Sequence, residues 1–304
     1  MSDQPVQHPR AVATAIALAL VYVVWGSTYL GIHFALESFS PLGLGAIRFF
    51  IAGALFYSWL RLRGHAPPTP RQWRNAAITG LLLLGTANTL VAYAQQTVAS
   101  GLAAVAVASL PLWAALIAGL YGQWPHRRDL LGLVIGFSGV VLLNVGGELR
   151  ASPLGALALL GAPLAWAFGS VWSRRQDMPS PLINTAAQML AAGAGLIVLV
   201  AISGTWPTAM PTRNAWIALA YLILFGSIVA FSAYVWLLQH VRPSLATSYA
   251  YVNPPIALLL GAWLAGERIT ALDYVASTII LAGVALLLTR RTVQARVEAS
   301  EPAD

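Results

Sequence analysis

The sequence predicts an all-α integral membrane protein in which ten transmembrane helices form two inverted five-helix repeats. Three observations predict it. Of 304 residues, 58% are hydrophobic and only 9% charged, where a soluble domain carries about 25%; an ordinary water-soluble enzyme is excluded. Apolar stretches long enough to cross a bilayer, ~20 residues each, recur ten times. Residues of the last five stretches match those of the first five at nearly constant spacing. The chain has no cysteine, which removes disulfides, thiolate metal sites and a cysteine nucleophile. Its net charge of +7 comes from arginines scattered over short connections, so it reads as a topology signal and not as a nucleic-acid surface.

The polar residues 1–11 form an amino-terminal tail, and the first span, 12–36, follows without a small-residue cleavage pattern, so it is retained. The second span, 41–60, opens on Pro41, the sixth (153–172) on Pro153, the seventh (181–202) on Pro181 and the ninth (243–264) on Pro243. Proline costs nothing in a first helical turn, where its missing N–H would have no partner. Hydropathy alone sets the third (75–95), fourth (100–121), fifth (129–145), eighth (214–238) and tenth (271–288) spans. The chain thus divides into a first repeat, 12–146, a second repeat, 153–289, and a carboxy-terminal tail, 290–304. With the amino terminus inside, 13 arginines fall on the cytoplasmic side and three, Arg150, Arg213 and Arg268, on the other. That bias places both termini in the cytoplasm of a plasma, or bacterial inner, membrane. Trp59, Trp73, Trp124, Trp206, Trp216 and Trp263 stand at span ends, as an aromatic belt requires.

The repeat is visible residue by residue. Trp25-Gly26-Ser27 matches Phe168-Gly169-Ser170 at an offset of 143, and Pro41, Ala46, Ala52 and Gly53 match Pro181, Ala186, Ala192 and Gly193 at 140, which pairs Arg48 with Gln188. At 141, Leu81, Gly85, Ala92 and Tyr93 match Leu222, Gly226, Ala233 and Tyr234; at 144, Ser100, Pro111, Gly122, Asp129 and Gly139 match Ser244, Pro255, Gly266, Asp273 and Gly283. Five helices are an odd number, so the second repeat enters the membrane inverted. Inverted repeats are a transporter's signature, because they let two halves exchange conformations about a midplane site.

Val24-Trp25-Gly26-Ser27-Thr28-Tyr29, Arg48-Phe49, Trp166-Ala167-Phe168-Gly169-Ser170, and Ser248-Tyr249-Ala250-Tyr251-Val252-Asn253-Pro254 followed by Gly266-Glu267 resemble the EamA-type branch of the drug/metabolite transporter superfamily. The resemblance covers all but the tails. It implies a ten-helix exporter of amino acids or related metabolites, with the substrate between the two halves. The chain departs from the pattern at Gly122-Gln123, where the second half has Gly266-Glu267, and at His33, where such proteins often carry a permanently basic residue.

On the first helix and just past its span, Tyr22, Gly26, Tyr29, His33 and Glu37 are spaced by three or four residues and share one helix face. A polar stripe is costly against lipid and faces the bundle interior or water. Arg48 is the one charge well inside a span, ~10 Å from its end at 1.5 Å per residue; it either snorkels to the interface or pairs with Glu37 or a substrate carboxylate, and a structural or gating role is expected of it before direct binding. Tryptophans inside spans supply aromatic walls, and few polar groups among them suit an amphipathic small solute. The expected substrate-binding set is Trp25, Gly26, Tyr29, Asn88, Tyr93, Trp166, Ser232, Tyr234 and Tyr251. Pro254-Pro255 frees backbone carbonyls in mid-membrane, and with Pro111, His33, Glu37, Arg48 and Gln188 forms the expected gating or coupling set.

Other functions fit less well. Gly136-Phe137-Ser138-Gly139 has the form of an intramembrane serine protease, but His33 is the one histidine in a span, and a serine nucleophile needs a base within reach. A receptor has no evident use for inverted repeats. A nucleotide-sugar or drug carrier of the same superfamily remains the alternative, although a single arginine is thin provision for phosphates. The expected function is therefore export of amino acids or related zwitterions by alternating access, without catalysis, metal or cofactor. The partners are a small-molecule substrate and the bilayer. No Asp or Glu lies deep in a span, so a facilitator or weakly coupled exchanger is expected. Gly193-Ala194-Gly195 and the pair Gly132 and Gly136 suit packing within a chain or across a homodimer alike.

Overall fold

The computed structural model describes residues 8–124, 129–145, 152–207, 209–241 and 243–298. Residues 1–7 and 299–304 of the tails, and Arg127, Arg128, Arg150 and Arg242 of the orientation count, lie outside the described residues. Every regular element among the described residues is helical. In order they are α1 (His8–Ala35), α2 (Pro41–Leu62), α3 (Pro70–Ala94), α4 (Ser100–Leu120), α5 (Asp129–Val145), α6 (Pro153–Ser173), α7 (Pro181–Ser203), α8 (Arg213–His240), α9 (Pro243–Ala246 and Tyr249–Leu264) and α10 (Ala271–Glu298). Seven are long and apolar enough to cross a membrane, and shorter apolar helices, Leu130–Leu143, Val252–Leu264 and Ala271–Leu286, lie in α5, α9 and α10.

Helix starts follow local chemistry. Pro41 opens α2 behind Ser40, whose hydroxyl accepts from Gly43 N at 3.0 Å. The start of α3 lies at Pro70 and not near residue 75, because Thr69 and Gln72 form a reciprocal capping box. Such a cap satisfies two orphan N–H groups, so the polar residues 70–74 are helical although hydropathy leaves them out. Similarly α10 runs to Glu298, ten residues past the apolar limit at 288.

The repeats meet through self-complementary pairs. A Cβ placed on Gly53 of α2 would stand 2.5 Å from Leu190 N of α7, while a Cβ on Gly193 of α7 would collide with the backbone of Phe50. Gly53 and Gly193 are repeat mates, and so are Phe50 and Leu190. The same relation joins α5 to α10: Gly139 abuts the Ile280 backbone and its mate Gly283 abuts that of Gly136, which is itself the mate of Ile280. Contacts that exchange under the repeat define a two-fold axis. Missing side chains let the backbones touch, which is how membrane helices gain packing without a hydrophobic drive. These small-residue stripes are therefore used inside the chain.

Two further features are paired. α3 is π-helical over Leu81–Ala87 and α8 over Leu222–Val229, segments that superpose at the 141-residue offset. By contrast α4 breaks between Val107 and Leu110, whereas α9 breaks between Ala246 and Tyr249. Under the offset of 144 the break of α4 falls inside the second helix of α9, so the two halves hold different conformations. The first piece of α4 packs on the second piece of α9, while the mirror pair, the second piece of α4 and Pro243–Ala246, makes no comparable contact among the described residues.

Candidate functional site

A cavity of about 110 Å³ lies where α1, α2, α3, α4, α6, α8 and α9 converge. That volume holds several waters or a small solute. Its walls are mostly aromatic and aliphatic: Trp25, Tyr29, Trp166, Phe231 and Tyr249 supply rings, and Thr28, Asn88 and Asn253 the polar groups. Among the described residues no Asp or Glu lines it, and Arg48 is the single charged residue that does.

Arg48 is 5% exposed. Its Nε donates to Ser227 Oγ at 3.0 Å, and that hydroxyl donates to the Leu222 carbonyl at 2.9 Å, five residues back in the π segment of α8. A π segment displaces the usual i to i−4 pairing, and side chains take up its carbonyls. Trp25 Nε1 donates to Gly226 O at 3.2 Å, and in α3 Asn88 Nδ2 donates to Leu83 O at 3.0 Å. The terminal nitrogens of Arg48 meet no acceptor among the described residues, although the guanidinium also lies 4.8 Å from the Phe49 ring centroid. A guanidinium fork of this kind can hydrogen-bond a carboxylate or similar oxyanion. Glu37 is exposed beyond the end of α1 and is not that partner.

Trp25 is clasped by aromatic neighbours: ring centroids of Phe231, Tyr234 and Tyr249 lie 5.0, 5.2 and 4.9 Å away. Asn253, with its amide turned to suit its surroundings, donates to the Tyr249 and Tyr22 carbonyls, 3.2 Å each. Pro254 lacks an N–H, so the carbonyl of Ala250 has lost its helical donor, and both residues line the cavity.

The structure thus brings together Trp25, Tyr29, Asn88, Trp166, Arg48 and Pro254 from the sequence-derived sets. It places the others elsewhere. Gly26 packs on Ile256, where a Cβ would approach to 2.8 Å. Tyr93 is 43% exposed on α3, and Ser232 Oγ turns back to Ile228 O at 2.7 Å. Tyr234 stands behind Trp25 and does not line the cavity, and the Tyr251 side chain lies outside the described residues. Gln188 donates to Asn184 Oδ1 at 3.1 Å, Pro111 opens the second piece of α4, and Pro255 is exposed. His33 is partly exposed and faces Glu267 at 4.0 Å. Thr28, Phe231, Tyr249 and Asn253 are among the lining residues that spacing missed; Asn253 carries a signal, a buried amide directly before two prolines. Among the described residues no three His, Asp or Glu side chains converge as metal ligands.

Two copies of one family model, described as the EamA-like transporter family, match residues 13–145 and 153–289. The chain belongs to that family. It is 43% identical over 272 residues, 89% of each chain, to a protein of Escherichia coli (strain K12) named Uncharacterized inner membrane transporter YedA. It is 24% identical over 293 residues to Uncharacterized transporter YvbV of Bacillus subtilis (strain 168), covering 92% of this chain and 93% of that one. A solved crystal structure superposes with a TM-score of 0.64 at 22% identity, over 93% of this chain and 99% of the other, a likeness of fold. The protein is a membrane transporter of the drug/metabolite superfamily, and its ten helices and paired repeats are that architecture.

Proposed function

We propose that this transporter exports small zwitterions, most simply amino acids or related metabolites, by alternating access between its two halves. One observation carries the reading: a single buried arginine, with its fork unoccupied, in an otherwise uncharged aromatic cavity. The fork suits a carboxylate. An ammonium group is served by the faces of Trp25, Trp166 and Phe231 and by the Asn88 carbonyl oxygen, left over because its amide nitrogen is engaged on Leu83. A permanent cation finds no acid to neutralise it, and a nucleotide sugar brings more phosphate charge than one arginine answers. The arginine bias along the chain supports both termini in the cytoplasm, with substrate leaving toward the other face.

Counterflow in proteoliposomes tests the substrate class, with labelled neutral and aromatic amino acids, a nucleotide sugar and a cationic dye compared side by side. Saturable exchange of the amino acids alone supports the proposal. Exchange of the dye or the sugar in their place overturns it.

A further inference from the structure

We propose that Glu267 is the latch that closes the cavity toward the face opposite the tails, and that Gln123 holds the place of its mirror image on the tail face. Glu267 follows α9, in the second repeat, yet its carboxylate accepts from Ser100 N at 2.7 Å and Gly101 N at 3.2 Å, the first N–H groups of α4 in the first repeat. The side chain is 7% exposed. A charged acceptor on helix-terminal N–H groups is strongly held, because the helix dipole and two charge-assisted bonds act together. The clasp leaves little room: a Cβ on Gly261 would collide with the Glu267 carboxylate, and one on Gly101 would stand 2.9 Å from Leu258 Cα. One carboxylate therefore fastens the two moving halves together at one end.

The repeat supplies the other end. Gly122 and Gly266 are mates, both in the left-handed region at φ +84° and +65°, so each chain turns the same way into the next residue, Gln123 or Glu267. In this conformation Gln123 is exposed, and among the described residues α4 and Pro243–Ala246 make no contact on the tail face comparable to that at the other end. A neutral glutamine binds helix-terminal N–H groups less strongly than a carboxylate. The tail-face closure is thus the weaker of the two, and the resting protein opens toward its tails. The strong closure remains reversible because it holds polar groups dry: both amide atoms of Gln95 and the Ser100 hydroxyl are buried without a partner, and opening hydrates them.

The absence of cysteine gives a clean readout that needs no substrate. In sealed vesicles, Val107→Cys, in the cavity wall, is labelled with a membrane-impermeant maleimide from each face in turn, the faces being identified by a tag on the amino-terminal tail. Val107→Cys alone is expected to react from the tail face. Adding Glu267→Gln should raise labelling from the opposite face by about tenfold, the shift expected from losing one charge-assisted bond. Adding Gln123→Glu should lower labelling from the tail face, by forming the mirror latch on residues 244 and 245. Because Gln123 is exposed, that second variant decides the matter even if Glu267→Gln does not fold. Labelling that neither substitution moves overturns the latch, whatever the substrate proves to be.

Discussion

Arg48 shows how one side chain is both costly and useful. Its burial is offset on one side by Ser227 and the Phe49 ring and left open on the other. Arg48→Gln should keep a donor for Ser227 yet lower transport of a carboxylate substrate at subsaturating concentration by about tenfold or more, the worth of a hydrogen bond to a charged group. Arg48→Lys should recover only part, because a point charge does not reproduce the planar fork. Initial rates in proteoliposomes check both, and wild-type transport by Arg48→Gln would remove the carboxylate role. Trp166→Ala should reduce transport without loss of folded protein, since Trp166 is a cavity wall. Tyr93→Ala should leave the rate within about twofold of wild type, since an exposed surface residue rarely costs more than about 0.5 kcal/mol. The contrast between Trp166 and Tyr93 marks the limit of sequence reading at this scale. Both are aromatic residues inside spans, and periodicity states which residues share a face but not which way that face points. Arg48 was legible as an anomaly, a charge in an apolar run; its partner Ser227 was not, because that contact spans 179 residues and depends on a π segment.

At the scale of elements, the glycine pairs make a prediction that symmetry sharpens. Gly53→Val should destabilise the purified protein by ~1–3 kcal/mol or more, since overpacking that cannot be relieved by a rotamer change must move a backbone; the nearest atoms are the backbone of Met189 and Leu190. Gly193→Val meets the mirror-image obstacle and should cost a similar amount. Thermal unfolding in detergent measures both, and a large loss in one with none in the other would contradict the self-complementary α2–α7 contact. Apart from the start of α3 and the end of α10, hydropathy located these helices to within a few residues, because bilayer thickness fixes a span's length. It missed the polar first turn of α3, held by the Thr69–Gln72 capping box, for the same reason: capping is local hydrogen bonding, to which hydropathy is blind. The offsets of 140 to 144 exposed the repeat, and the paired π segments obey it at Leu81 and Leu222. The breaks of α4 and α9 do not obey it. Nearly equivalent sequences occupy different shapes there, and a sequence records the average of a cycle, not the step at which the molecule stands.

The whole molecule has two ends and a cavity between them in which Arg48 is the one charged lining residue among the described residues, and that limits how it is driven. Strong proton coupling needs a group that binds a proton and the substrate in competition at the midplane. Among the described residues no carboxylate and no histidine lines the cavity; His33 and Glu267 lie together where α1, α4 and α9 close and are not among its lining residues. Substrate movement should therefore follow its own gradient. In proteoliposomes counterflow should proceed without a pH gradient, and imposing one should change the rate by less than about threefold and produce no accumulation above equilibrium, since a ligand moves an equilibrium only through differential affinity. His33→Gln separates gating from coupling. If the facilitator reading holds, this variant alters the rate equally with and without a gradient, because it touches only the closure near Glu267. Accumulation against a substrate gradient in the wild type, abolished by His33→Gln, would mean that protons do enter the cycle through the closed end, and that opening there is the energised step.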